Sequence, residues 1–161
     1  MKVLVAVDEG EGSLYALKWT LDHLFRPDLR EHPRGRLTLI HVQQPFQHFL
    51  FPGPAAMPSA ATVYASSSVV DSARRAQEQN TNKLLGRALQ VCKERKVEAE
   101  TLISDGDPKE MICQAVEQIH PDLVVVGSRG LSKFRRAFLG SVSDYVAHHA
   151  RCPVLIARPR K

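Results

Sequence analysis

Short apolar runs and helical periodicities alternate along the chain. Lys2 to Val7, KVLVAV, is nearly continuous in valine and leucine, the pattern of a strand covered on both faces, as in a parallel sheet. DEGEGS interrupts it, and Leu14, Leu17, Leu21 and Leu24 then recur at helical spacing through Phe25. After the polar connection RPDLREHPRGR, LTLIHV (Leu37 to Val42) predicts a second strand. A long helix is predicted over 69–95, with Leu84, Ala88, Val91 and Cys92 as its inward stripe and a polar first half. VEAETLIS (Val97 to Ser104) alternates, with Val97, Ala99, Thr101 and Ile103 on one face, as in a half-exposed or edge strand. DPKEM is a helix start: Asp107 caps, Pro108 suits the first helical position, and Glu110 completes a capping box. Met111, Ile112, Ala115, Val116 and Ile119 form that helix's apolar face. PDLVVVG is another fully buried strand, SVSDYVAHHA a helix, and PVLIA (Pro153 to Ala157) a last strand.

The order β-α-β-loop-α-β-α-β-α-β predicts an α/β fold: an open, five-stranded parallel sheet with helices on both faces. One domain over 1–161 is expected, with no internal repeat. The loop over about 43–68 stands apart. Pro45, Pro52, Pro54 and Pro58 exclude regular structure, and a loop of that length in a compact domain is a functional lid or a disordered segment.

Composition adds little against this picture and some exclusions. No apolar run approaches the roughly 20 residues that span a bilayer. Met1 leads directly into the first strand, with no sign of a secretory or transit peptide, so the cytoplasm, or also the nucleus, is the expected compartment. The net charge of +5 is spread over scattered Lys and Arg, which reads as a solvated surface rather than a nucleic-acid footprint. Cys92, Cys113 and Cys152 are odd in number and far apart, so buried structural thiols are expected rather than a metal site or disulfide framework. Val154, Leu155 and Ile156 are apolar in succession on a strand that ends the chain. An apolar sheet edge invites pairing, so a homodimer through Pro153–Ala157 is expected; protection by the Arg-Pro-Arg-Lys tail is the alternative.

Candidate chemistry concentrates after the fourth strand. Gly127 ends that strand, Gly130 follows one short turn later, and Gly140 precedes Ser141 at a helix start. In parallel α/β sheets ligands bind outside the carboxyl ends of the strands, and glycine there allows close backbone approach or positive φ. The first N–H groups of a helix, those of Ser141, Val142 and Ser143, point out of its positive end. The hydroxyls of Ser141 and Ser143 add donors, and Arg129, Lys133, Arg135 and Arg136 make the intervening loop basic. Jointly these suit a polyphosphate. Singly, each glycine can serve only to end a strand or precede a helix, and Ser141 with Asp144 can be only a capping box.

The spacing Gly127-x2-Gly130-x9-Gly140-Ser141 resembles the ATP-binding signature of the universal stress protein family. The resemblance extends to VLVAVDEGEGSLYALKW, LTLIHV, GDPKEMI and CPVLIARP, and the proline-rich insertion resembles plant members. It implies a strand order 3-2-1-4-5, with strands one and four adjacent and Asp8 facing Gly127 across the crevice between them. It implies an adenine nucleotide, ATP or else AMP or ADP, with Mg2+ held mainly through phosphate oxygens. Ala6, Val7 and Asp8 would border adenine and ribose, and Val42 would present its backbone to the adenine edge. Gly127, Arg129 and Gly130 would run along ribose and phosphates, and Gly140, Ser141, Val142 and Ser143 would hold the phosphates. It also implies the dimer through the last strand. Asp8 has a competing reading as a residue that caps or turns the loop before the first helix.

Catalysis has little support in the sequence. G-x4-G-K-[ST] is absent, as are H-x-G-H and S-G-G-x-D-S. His148 and His149 are adjacent on a helix and face different ways; the remaining histidines are isolated. The expected function is a nucleotide-dependent regulatory protein with hydrolysis slow or absent. A weak ATPase or nucleotidyl-transfer enzyme using Asp8 is the alternative. An RNA- or DNA-binding module is disfavoured by the lack of aromatics in the basic loop.

Overall fold

The computed structural model describes residues 1–25, 35–44, 67–128 and 139–159. The elements in chain order are β1 (Lys2–Ala6), α1 (Glu11–Leu24), β2 (Arg36–Gln43), α2 (Ser67–Glu94), β3 (Ala99–Asp105), α3 (Pro108–Ile119), β4 (Leu123–Gly127), α4 (Ser141–His149) and β5 (Val154–Ala157). All strand pairs are parallel and the order is β3-β2-β1-β4-β5. Strand order reverses between β1 and β4, as expected. Residues 45–66, the greater part of the proline-rich loop, lie outside the described residues.

Alternation along the strands feeds two cores. Val3, Val5, Leu37, Leu39 and Val125 face α1 and α2, where Ala16, Leu17, Leu21, Leu85, Ala88 and Cys92 meet them. Leu4, Ile40, Val124 and Val126 face α3 and α4, through Ile112, Ala115, Val116 and Val146. The apolar runs of β1 and β4 are continuous because both faces are covered. Asp107 caps α3, its carboxylate accepting from Lys109 N–H at 3.1 Å, and Pro108 follows.

Three details refine the sequence reading. β3 is an edge strand, as its alternation implied, and the face carrying Val97, Ala99, Thr101 and Ile103 is covered only at its start, where Val97 and Ala99 pack on the first core. Thr101 is exposed and Ile103 is 47% exposed, whereas Leu102 packs on the opposite face. The cause is α2: its first half, 68–80, is exposed almost throughout, so it does not press on the end of β3 that carries Ile103. Second, Asp8 does not cap α1, which begins at Glu11 on Gly10 with no side-chain cap. Third, of the three thiols only Cys92 is buried; Cys113 and Cys152 are half-buried. Burial pushes the Cys92 thiol up to about 11, which leaves it inert at neutral pH.

Candidate functional site

Three short segments stand at the carboxyl ends of β1, β2 and β4. The first is the β1–α1 connection. Asp8 Oδ1 accepts from Gly10 N–H at 2.9 Å, which turns the chain into α1. The Ser13 hydroxyl accepts from Asp8 N–H at 3.1 Å and lies 3.0 Å from the carbonyls of both Asp8 and Gly10. One buried serine thus closes the loop on itself. Val7 and Asp8 line a cavity of about 350 Å3 between this loop and α2, whose Asn80, Lys83 and Arg87 form the far wall. The turn-forming reading of Asp8 is therefore real, and it occupies one carboxylate oxygen.

The second segment is the end of β2. Main-chain groups of the even-numbered residues point toward β1, as Val7 N–H to Ile40 O at 2.9 Å shows. Those of the odd residues point toward β3, as Gly106 N–H to Gln43 O at 2.9 Å shows. Val42 therefore directs its N–H and C=O to the β1 side. The β1–β2 register stops at Ala6 with Ile40, so Val42 stands past the last pair. Its side chain, like that of Ala6, packs against the second core.

The third segment joins β4 to α4. Ser128 N–H donates to Ala157 O at 2.9 Å, and Ser128 O accepts from Gly140 N–H at 2.9 Å. The Ser143 hydroxyl donates to Gly140 O at 2.9 Å and reaches Ser128 O at 3.4 Å. These bonds pin the start of α4 beside the end of β4. The first intrahelical bond runs from Asp144 N–H to Gly140 O at 2.9 Å. The N–H groups of Ser141, Val142 and Ser143 precede it and have no intrahelical acceptor; Gly140 supplies no side-chain cap.

The predicted residues fare differently. Ala6, Val7 and Asp8 lie at the end of β1, Val42 beside them, and Gly140 to Ser143 at the start of α4, all at one end of the sheet. Arg129 and Gly130, with Lys133, Arg135 and Arg136, lie outside the described residues. Two roles change. A Cβ on Gly127 would lie 2.7 Å from Gly12 C, 2.8 Å from Gly12 O and 2.9 Å from Ser13 N. The first turn of α1 rests on Gly127 and holds the position to glycine, whatever its main chain meets on the other side. The Ser143 hydroxyl is likewise turned into the protein, buried, leaving its N–H as the outward donor.

Sequence reasoning passed over Ser13, His41 and Ser128, which hold the three segments in place. His41 is 5% exposed, and its Nδ1–H donates to Val7 O at 3.0 Å. A buried histidine directly before the residue expected to read a base was the available signal. Among the described residues no group of three or more His, Cys, Asp or Glu side chains could hold a metal ion, and no helix is long and apolar enough to cross a membrane.

Comparison with known proteins decides the family. The sequence profile of the universal stress protein family matches residues 1–158. The chain belongs to the universal stress protein family. A universal stress protein A-like protein of Arabidopsis thaliana is 32% identical, over 96% of this chain and 87% of its own. The universal stress protein YxiE of Bacillus subtilis is 30% identical over 98% of both. Among solved structures, a universal stress protein family protein of Arabidopsis thaliana with AMP bound superimposes with a TM-score of 0.69 at 29% identity, covering 99% of this chain and 92% of that one. The order β3-β2-β1-β4-β5, implied by the family resemblance, is the order this universal stress protein adopts.

Proposed function

We propose that this universal stress protein binds an adenine nucleotide, ATP or else AMP or ADP, and acts as a nucleotide-dependent regulatory protein. The observation that carries the reading is the start of α4: amides of Ser141, Val142 and Ser143 without a partner among the described residues, held beside the end of β4 by Ser128. Amides at the positive end of a helix are a phosphate site. The AMP bound to the Arabidopsis relative supports an adenine nucleotide as the occupant. In this reading Ala6, Val7 and the free oxygen of Asp8 border adenine and ribose. Val42 offers main chain to the base. Gly127, Arg129 and Gly130 follow the ribose and phosphates, and Mg2+ travels on phosphate oxygens. Nucleotide occupancy would bias conformation or the binding of a protein partner, with two copies paired through β5.

Gly140→Val tests the placement. Gly140 has φ −67° and ψ 151°, a conformation β-branched residues adopt freely, and its N–H to Ser128 survives the change. The fold is therefore kept while a branched side chain is set at the mouth of the amide cradle. Calorimetric titration should show wild type binding ATP and the variant at least about tenfold weaker, the equivalent of about 1.4 kcal/mol. Equal affinity in a folded variant would remove the phosphates from α4.

A further inference from the structure

We infer that His41 is a positioning residue that gives the site its preference for adenine, by taking the acceptor that would otherwise close Val42. The inference rests on the nucleotide reading above. In a parallel ladder, Val7 N–H to Ile40 O is followed by a bond from Val42 N–H to Val7 O. Among the described residues that rung is not made: β1 ends at Ala6, and the Val7 carbonyl receives the His41 imidazole instead, at 3.0 Å. A carbonyl only accepts, so Nδ1 carries the proton. His41 is buried among the side chains under α2 and belongs to the strand itself, so the substitution of side chain for main chain is built into β2.

The consequence falls on Val42. Its N–H and C=O both point to the β1 side, past the last β1–β2 pair. Its side chain is fixed in the second core and its neighbours Ile40 and Gln43 are bonded on either side. What results is an adjacent donor and acceptor on a rigid edge. Adenine presents the complementary pair, the N1 acceptor beside the N6 amino donor. Guanine presents the reverse, an N1–H donor beside the O6 acceptor, and would meet like with like. A Val42 N–H spent on Val7 would lose the donor half of this recognition.

Two measurements test it. In the free wild-type protein, amide exchange followed by NMR should show Val42 N–H exchanging much faster than the ladder-bonded amides of β2; a protected Val42 amide would overturn the inference. Titrations with ATP and GTP should then show wild type favouring ATP. His41→Leu leaves the Val7 carbonyl to Val42 and should lower ATP affinity by about tenfold with a smaller change for GTP, so that the preference collapses. His41→Asn places an amide donor where Nδ1 stands and should restore it. Loss of stability alone would weaken both nucleotides alike. An unchanged ATP-to-GTP ratio in His41→Leu, or no rescue by His41→Asn, would overturn the inference alone. Failure of wild type to bind either nucleotide would overturn the nucleotide reading itself.

Discussion

At the scale of single residues, the same glycine can look identical in sequence and do different work. Gly127 and Gly140 both stand at element ends, and both resemble ligand-approach positions. The structure separates them. Gly127 accommodates main chain of α1, with Gly12 and Ser13 atoms closer than a Cβ tolerates. Those neighbours are backbone and cannot rotate away. Gly127→Ala should therefore cost about 1–3 kcal/mol, the usual penalty of overpacking. Urea unfolding should show a lowered midpoint with an unchanged slope; an unchanged midpoint would mean that α1 can lift off β4 freely. Gly140 has ordinary extended dihedrals, so no positive φ holds that position to glycine. The distinction was illegible in sequence because Gly12 and Gly127 are far apart along the chain and meet only through the crossover. Ser143 teaches the same lesson: a hydroxyl at a helix start reads as an outward donor until Ser128 and Gly140 are seen to take it.

At the scale of elements, what was legible is what periodicity encodes. Continuous apolar runs marked β1 and β4 because both cores cover them, and Asp107-Pro108 marked the start of α3 because capping is local chemistry. β3 was legible as an edge strand, but not how far its face is covered: the exposed first half of α2 leaves Ile103 bare. The helix α2 also carries a weak point of its own. Gly86 sits in its interior, and a Cβ there would meet nothing within 4 Å. Gly86→Ala gains helix propensity and restricts the unfolded chain without a steric cost, so it should stabilise the protein by about 0.5–1 kcal/mol. Thermal unfolding should register a raised Tm. A lowered Tm would show that the bare surface at Gly86 is covered in solution, by a second copy or by another part of the chain.

At the scale of the whole molecule, the open question is how the sheet ends. Alternation in the β4–β5 ladder decides which groups are free. Pro153 O accepts from Val124 N–H at 3.0 Å and Ala157 O from Ser128 N–H at 2.9 Å, so the odd-numbered residues of β5 turn their main chain inward. Val154 and Ile156 turn theirs to the open edge. Their side chains and that of Leu155 pack against the two cores yet remain only half-buried. A short strand with outward amides and partly bare apolar side chains on both faces is a template for a second copy. The proposed dimer therefore makes a sharper demand than loss of apolar surface. Ile156→Pro deletes an outward N–H and no bond to β4, whereas Leu155→Pro would delete an inward one. Light scattering should find wild type at the mass of two chains and Ile156→Pro at the mass of one, with the circular dichroism of the folded protein retained. Ile156→Val, which keeps the N–H and trims the side chain, should remain dimeric. If Ile156→Pro also stays dimeric, the copies meet elsewhere, and the half-covered apolar residues of β5 are shielded by the tail that follows them.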